Sequence, residues 1–430
     1  MNVLIIGSGG REHAFAWKLK QSPKVSKIYC APGNAGIAEI AELVPLKIDD
    51  IDGLFQFAKK KRIDLTVTGP EVPLVKGIVD LFEKHGMRIF GPGKYAAQLE
   101  GSKVFAKDFM KRHRIPTAAY ATFNRAEYSK AQQHLTANAA PIVLKADGLA
   151  AGKGAVVCQS TGEALTVLRE CFEKDMFGEA GNTIVVEEFM KGEEASIFVL
   201  TDGTHYKLLQ PAQDHKQILD GDKGKNTGGM GAYAPAPVVS SALLKRIEKE
   251  IVVPTLNGMR AEGKAYKGCL YVGLMMTKEG PKVVEFNCRL GDPEAQVVLP
   301  LIDGDLFDIL FACASNSLRT IDFRFHEASA VCVVMASRGY PDEYETGKPI
   351  EGLDAVLSDE GVIVFHAGTK KENGKTVSSG GRVLGVTAIG YGHDLEGTIA
   401  AAYTAVKKIT FDGAYYRSDI GVKGLKHTTA

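Results

Sequence analysis

Short apolar runs alternate with longer amphipathic ones over the first hundred residues. "NVLIIG", "KIYCAPGN", "LTVTGPE" and "RIFGPG" each end in a Gly/Pro turn. Between them, "REHAFAWKLKQ", "DIDGLFQFAKKK" and "LVKGIVDLFEKHG" carry apolar residues at helical spacing. Strand-length runs alternating with helix-length ones predict βαβ units, hence a doubly wound parallel sheet over residues 1–103. "RIPTAAY" breaks this rhythm. A small unit over 122–190 then reads as strand "PIVLKA", a glycine loop, strand "AVVCQ", helix "TGEALTVLRECFEK" and strand "TIVVEEFM". A larger α+β unit takes 104–121 and 191–325, with "EEASIFVLTDG" and the hairpin "CLYVGLMMTKEGPKVVEFN". The end, 326–430, holds "SAVCVVMASRGYP", "GVIVFHAGT", "RVLGVTAIG" and a helix near 395–408. It reads as a separate small α+β domain. The expected class is an α/β and α+β multidomain protein.

Length agrees, since 430 residues exceed one core of common size. A net charge of +1, with no basic stripe, argues against nucleic acid. The apolar runs are strand-sized, so no membrane span is expected. "MNVLIIG" lacks the basic segment and cleavage site of a signal peptide, which points to the cytoplasm. The seven cysteines, Cys30, Cys158, Cys171, Cys269, Cys288, Cys313 and Cys332, never stand in CxxC spacing. They read as core thiols rather than a disulfide framework or zinc site.

The stretch "KADGLAAGKGAVV" (145–157) suggests a phosphate loop, but not a Walker A loop. Gly148 and Gly152 enclose three residues rather than four, and Gly154 stands where Ser or Thr should be. The loop also joins two strands. What remains is a glycine flap whose backbone N–H groups close on a nucleotide, with Lys145 as a point charge; the plain alternative is a flexible hairpin turn. "GSGGREH" (7–13) follows the first strand and opens a helix, a placement suited to an anion. The dinucleotide fingerprint fails at Glu12, and the second strand lacks the terminal acid. This turn is therefore expected to hold one phosphate, with Arg11 as charge partner, or to be a tight turn without ligand. "APGN" (31–34) and "GPE" (69–71) should line the same pocket beyond the strands' carboxyl ends. Asn34 and Glu71 could then hydrogen-bond sugar hydroxyls.

In "VVEEFMKGEEASI", backbone groups around Glu187–Phe189 suit a purine edge and Glu194 suits ribose hydroxyls; the alternative is a solvated acidic turn. In "VVEFNCRLGDPEAQVV", Glu285 and Asn287 lie two apart on a strand and share a face. Carboxylate plus amide oxygen is a hard donor pair suited to magnesium. Arg289 continues on that face and can clamp a carboxylate or phosphate, with Asp292 and Glu294 in the following turn. A surface salt-bridge cluster is the alternative. "AQDHKQILDGDKGKNTGGMGAYAP" (212–235) reads as a long polar loop, and loops of that length are usually functional. Asp214, His215 and Lys216 open it, His215 reading as a hydrogen-bonded structural histidine. No nucleophilic constellation or HExxH is present.

"KADGLAAGKG", "VVEEFMKGEE", "QDHK", "NTGGMGAY" and "VVEFNCRLGDPE" together resemble the ATP-grasp ligases. The last two, with "GSGGREHA", "FHAGT" and "SSGGRV", resemble the phosphoribosylamine–glycine ligase family along essentially the whole chain. Gln217 and Lys225 depart from the family's usual Arg and Pro. The resemblance implies a two-part nucleotide-binding module whose small lid is 122–190. It implies ligation of glycine to 5-phosphoribosylamine through glycyl phosphate, releasing ADP and phosphate, the second step of purine synthesis. It assigns ATP to Lys103, Lys145, Gly148, Gly152, Lys153, Gly154, Glu187, Glu188, Phe189 and Glu194. Mg2+ or Mn2+ falls to Glu285 and Asn287, and catalytic roles to Arg289, Asp214 and Lys216. Phosphoribosylamine and glycine fall to Gly9, Gly10, Arg11, Glu12, Pro32, Gly33, Asn34, Gly69, Pro70, Glu71 and Asp292. Small molecules, with no nucleic acid or membrane, are the implied partners of a monomer. The rivals are another ATP-grasp ligase or carboxylase, a nicotinamide-dependent oxidoreductase and a non-catalytic nucleotide-binding module.

Overall fold

The computed structural model describes residues 1–149, 154–174, 176 and 178–427. Its first sheet is parallel, with β1 Asn2–Gly7, β2 Lys27–Pro32, β3 Glu42–Leu43, β4 Leu65–Thr68 and β5 Ile89–Phe90. The order is β3-β2-β1-β4-β5. β1 takes the centre because it is apolar on both faces; Val3, Leu4, Ile5 and Ile6 are fully buried. The chain runs outward one way through β2 and β3, then the other way through β4 and β5. The carboxyl end of β1 is therefore the switch point where ligands bind in such sheets. Helices α1 Gly10–Lys20 and α2 Ile51–Lys60 follow expectation. The third expected helix is two, α3 Glu71–Lys76 and α4 Ile78–Lys84, because Gly77 between them turns to φ +92°.

Helices α5 Gln98–Gly101 and α6 Lys103–Arg112 lead out of this domain. Ser102 caps α6 by accepting the Phe105 N–H at 3.1 Å. Next comes an antiparallel sheet in the order β6-β9-β7-β8. Its strands are β6 Tyr120–Asn124, β7 Ile142–Ala146, β8 Ala155–Cys158 and β9 Thr183–Glu188. Helices α7 Tyr128–Ala137 and α8 Thr161–Glu173 cover it. Leu135, Ile142, Leu144, Leu168, Phe172 and Ile184 form its own core. The lobe starts at Tyr120, so the boundary expected at 122 falls inside β6.

A second antiparallel sheet carries β10 Glu193–Asp202 and β11 Tyr206–Leu208. The stretch 212–235, expected as a loop, holds β12 Gln213–Asp214, β13 Gln217–Leu219, β14 Lys223–Asn226 and β15 Gly231–Ala234. β13 and β14 form a hairpin, while β12 and β15 leave for another sheet. β16 Lys267–Thr277 and β17 Gly280–Asn287 complete the order β11-β10-β16-β17.

The C-terminal sheet runs β12, β15, then strands Ala328–Ala336, Arg382–Tyr391 and Val362–His366. The expected separate domain thus borrows two strands from the preceding one. The reason lies in "GAYA": four buried residues without a charge, which pair with Ala330–Val333. Helix Leu395–Val406 packs on this sheet. One core cluster joins Phe15 and Leu19 of α1 to Val298, Leu310 and Phe365, so the domains share packing. All seven cysteines are free and buried. Among the described residues no helix is long and apolar enough to cross a membrane.

Candidate active site

The turn after β1 supplies its own anion. The Gly9 N–H donates to Glu12 Oε2 at 2.6 Å, and Arg11 Nε donates to Glu12 Oε1 at 2.6 Å. Arg11 Nη1 reaches back to the Leu290 carbonyl at 3.0 Å. The Arg11 N–H faces Asp292 Oδ2 at 3.4 Å. Two carboxylates therefore occupy this helix start, and Arg11 is buried against them. Arg11 is therefore spent on Glu12 and Leu290 and is not the free charge expected beside a phosphate. Gly69 and Pro70, after β4, serve the same arrangement: a Cβ on Gly69 would lie 1.9 Å from Glu12 Oε1. Asn34 is corrected too. Its amide donates to the carbonyls of Ser8 and His366 at 2.8 and 2.7 Å. It accepts the Gly36 and Ile37 N–H groups at 3.0 Å. The side chain is spent on the fold, leaving backbone to face a ligand.

Ser8, Gly9, Gly33 and Asn34 line one side of a cavity of about 330 Å3, closed by Asp292 and Arg382. Residues 367–369 and 379–380 supply its other wall. Gly10 lies beside it, with Gln296 and Asp292 against the place of a Cβ, while Pro32 ends β2 at the surface. Arg382 Nη1 binds the carbonyls of Gly228 and Asp292 at 2.7 and 2.6 Å, so it ties the "NTGGMG" and "RLGDPE" segments together. Gln296 Nε2 holds Asp292 Oδ1 at 2.8 Å. Sequence reasoning assigned no role to Arg382. The signal available was the pair of small-residue turns "HAGT" and "SSGG" at strand ends.

Across the cleft, α6 and the lid carry a buried ion network. Glu187 on β9 lies 3.0 Å from both Lys145 of β7 and Lys107 of α6. Lys145 Nζ also donates to the Val284 carbonyl at 3.0 Å, and Lys107 Nζ to Thr117 Oγ1 at 2.8 Å. Burial lowers the Lys107 ammonium to about 8, with Glu187 opposing. Lys107 was missed. It stands one helical turn after Lys103 on the stripe of Phe105, Ala106 and Phe109, which is where a charge signals a buried partner. Lys103 Nζ donates to the Gly148 carbonyl at 3.3 Å, and Asp147 accepts from Ser102 Oγ at 2.9 Å, so the first leg of the glycine flap docks on α6. Gly154 pairs its carbonyl with the Ala146 N–H. Gly152 and Lys153 lie outside the described residues. Glu188 accepts the Ala119 N–H at 3.1 Å, and Phe189 is exposed beside it.

Glu285 and Asn287 lie on β17 opposite Gly273 and Tyr271 of β16. Burial opposes ionisation of Glu285, but Lys216, Lys145, Lys103 and Arg289 outweigh it and hold the carboxyl below its ordinary value. Neither side chain hydrogen-bonds to the chain among the described residues. Two unspent oxygen donors suit a hard divalent cation that keeps waters and phosphate oxygens for its other positions. Among the described residues no three His, Cys, Asp or Glu side chains gather into a metal site.

Asp214 ends β12, and His215 and Lys216 link it to β13. Lys216 Nζ sits 2.5 Å from Glu194 Oε2. Burial, with Glu294, Glu194 and Glu285 nearby, pushes the Asp214 carboxyl up to about 7 against the pull of Lys216. Glu294, buried beside Ser196 and Tyr271, joins this group without having been assigned a role. His215 faces Tyr233 with both ring nitrogens buried and unpartnered, unlike the hydrogen-bonded histidine expected. Arg289 bonds Glu100 Oε1 through Nη2 at 2.7 Å, and its Nε lies 3.5 Å from Glu71. Burial opposes the Glu71 carboxylate, but Arg289 and Arg11 keep it below its ordinary value. Glu71 is therefore an ion-pair partner rather than a free acceptor for sugar hydroxyls.

Three family models match this chain: the N domain of phosphoribosylglycinamide synthetase over residues 1–100, its ATP-grasp (A) domain over 101–295 and its C domain over 330–423. A phosphoribosylamine–glycine ligase of Chlorobaculum tepidum is 54% identical, covering 99% of this chain and 100% of that protein. One from Brucella melitensis is 49% identical over 100% of both. The crystal structure of phosphoribosylamine–glycine ligase from Thermotoga maritima superposes with a TM-score of 0.83 at 33% identity, covering 97% of this chain and 100% of that one. Biotin carboxylase from Campylobacter jejuni, at 15% identity and a TM-score of 0.74, covers 98% of this chain and 94% of its own, and shares the fold.

Proposed function

The chain belongs to the phosphoribosylglycinamide synthetase family, and from that we propose that it is an ATP-dependent ligase joining glycine to 5-phosphoribosylamine. The products are glycinamide ribonucleotide, ADP and phosphate. The glycine carboxylate takes the γ-phosphoryl group of ATP, and the amine of phosphoribosylamine then attacks the acyl carbon and expels phosphate. Phosphoryl transfer of this kind asks for positioning and charge neutralisation rather than a protein nucleophile.

The observation that carries the reading is the setting of Glu285 and Asn287. Two unspent oxygen donors stand among Lys216, Lys145, Lys103 and Arg289. Cations gathered round a carboxylate fit a triphosphate with its divalent metal, which Glu285 and Asn287 would hold. Magnesium there would neutralise charge on the phosphate oxygens. Lys145 and Lys103 face the nucleotide from the lid side, and Glu194 its ribose. Asp214, Lys216 and Arg289 border the place for glycine. The cavity between Gly9, Gly33, Asp292 and Arg382 takes phosphoribosylamine. Its wall from residues 367–369 and 379–380 gives the C-terminal domain a direct part in substrate binding.

The test is ADP release with magnesium, glycine and phosphoribosylamine. Turnover should require both substrates. ATP hydrolysis indifferent to glycine, or no turnover above background with everything present, would sink the proposal.

A further inference from the structure

Glu100 stands at the junction between the N-terminal domain and the ATP-grasp module, on the single turn α5. It is buried, and each of its oxygens is spent on the end of β17. Oε1 accepts from Arg289 Nη2 at 2.7 Å. Oε2 accepts the Cys288 N–H at 2.7 Å and the Cys288 thiol at 3.0 Å. The Arg289 guanidinium is thereby fixed at one corner only. Its Nη1 has a long contact of 3.4 Å to the Leu290 carbonyl. Its Nε is buried without a hydrogen bond and lies 3.5 Å from Glu71.

We propose that Glu100 is a positioning residue. It clamps the Nη2 corner of Arg289 and so fixes the plane and reach with which the guanidinium meets the carboxylate of glycine. Three facts support the assignment. First, Glu100 bonds the backbone N–H one residue after Asn287, so it fixes the strand end and the arginine together. Second, the two carboxylates on Arg289 are unequal. Glu100 makes a short charge-assisted bond, while Glu71 sits at 3.5 Å with no such bond and is the partner an incoming carboxylate can displace. Third, the Nε–H carries no hydrogen bond, so the guanidinium keeps a donor for a carboxylate oxygen that takes the place of Glu71.

This inference rests on the ligase reading above, and the two fail differently. If the wild-type protein shows no glycine-dependent ADP release, the ligase reading falls first. If it turns over, Glu100→Gln tests the clamp alone. Gln keeps the shape but removes the charge that holds Arg289. The KM for glycine should rise about tenfold or more, while the KM for ATP stays within about twofold. Mg·ADP affinity by calorimetry should be unchanged, which reports a folded nucleotide site. Glu100→Asp, charged but one methylene shorter, should recover part of the loss. In an Arg289→Ala background, Glu100→Gln should add nothing, since its effect passes through the arginine. An unchanged glycine KM, a parallel loss of ADP affinity, or full additivity with Arg289→Ala would each overturn the proposal, the last two by marking Glu100 as general scaffolding.

Discussion

Glu12 gives the glycine-rich turn after β1 an anion of its own. Its carboxylate fills the space that Gly7 and Gly69 leave open and satisfies the Gly9 N–H. Gly69→Ala would place a methyl group 1.9 Å from Glu12 Oε1 and drive the carboxylate off that N–H. Losing a charge-assisted hydrogen bond at this half-buried N–H costs about 1 kcal/mol, so the urea midpoint should fall accordingly. A midpoint matching wild type would show that Glu12 relocates freely. Lys107 gives a second residue-scale prediction. Lys107→Met leaves Glu187 to Lys145 alone, and Lys145 is then held more tightly away from the nucleotide. The KM for ATP should rise several-fold with the KM for glycine unmoved, as initial-rate kinetics would report. Glu285 and Asn287 were legible from sequence because their relation is local: two residues, one face. Glu100, Lys107 and Arg382 were not. Each acquires its role from a partner far along the chain, as when Glu100 meets Cys288 across a separation of 188 residues. A buried charge in an apolar stripe says that a partner exists, and nothing local says which.

At the scale of elements, the glycine flap is tied to α6 on its first leg. Asp147 takes the Ser102 hydroxyl and the Val104 N–H, and Lys103 takes the Gly148 carbonyl, so this leg is fixed to the start of the helix. Gly148 adopts φ +135°, a conformation that L side chains rarely adopt. Gly148→Val should therefore disturb closure more than affinity: kcat should fall about tenfold or more while Mg·ADP binding changes little. Equal loss of both would assign the glycine to binding instead. Strands and helices of this lobe were readable from hydrophobic period because each buries one face against its own core. The stretch 212–235 misled for the opposite reason. Its polar composition comes from the β13–β14 hairpin, while β12 and β15 are short strands buried in a sheet whose other members lie a hundred residues on. Strand pairing of that range leaves little local trace.

Histidines buried at the domain contacts shape the response of the whole molecule to acid. The His366 N–H donates to His13 Nδ1 at 2.8 Å, joining the C-terminal sheet to α1. Burial lowers His13 to about 3, with His366 adding to the effect, and burial lowers His366 itself to about 4. His215, buried where β12 enters the C-terminal sheet, is also lowered to about 3, first by burial and then by Lys423 and Arg417. Each of these groups is depressed in the folded state relative to an unfolded histidine near 6.5. Between that value and its folded one, the unfolded chain binds the extra proton. The stabilisation is therefore complete above about pH 6.5 and is lost as pH falls, at up to about 1.4 kcal/mol per histidine per pH unit. Asp214 works in the opposite sense. Its carboxyl is raised to about 7 by burial, so the folded state binds its proton first and gains stability as pH falls through that range. Total stability mixes the two, and a difference between variants separates them. His13→Asn keeps an acceptor for the His366 N–H but cannot titrate. Denaturant unfolding at pH 7.5 and 5.5 should show the wild type losing about 1.4 kcal/mol more than this variant over that unit below 6.5. Equal losses would mean that His13 is already protonated, or already exposed, when the domains are docked. The cavity walls would then have to be held by the shared apolar core alone.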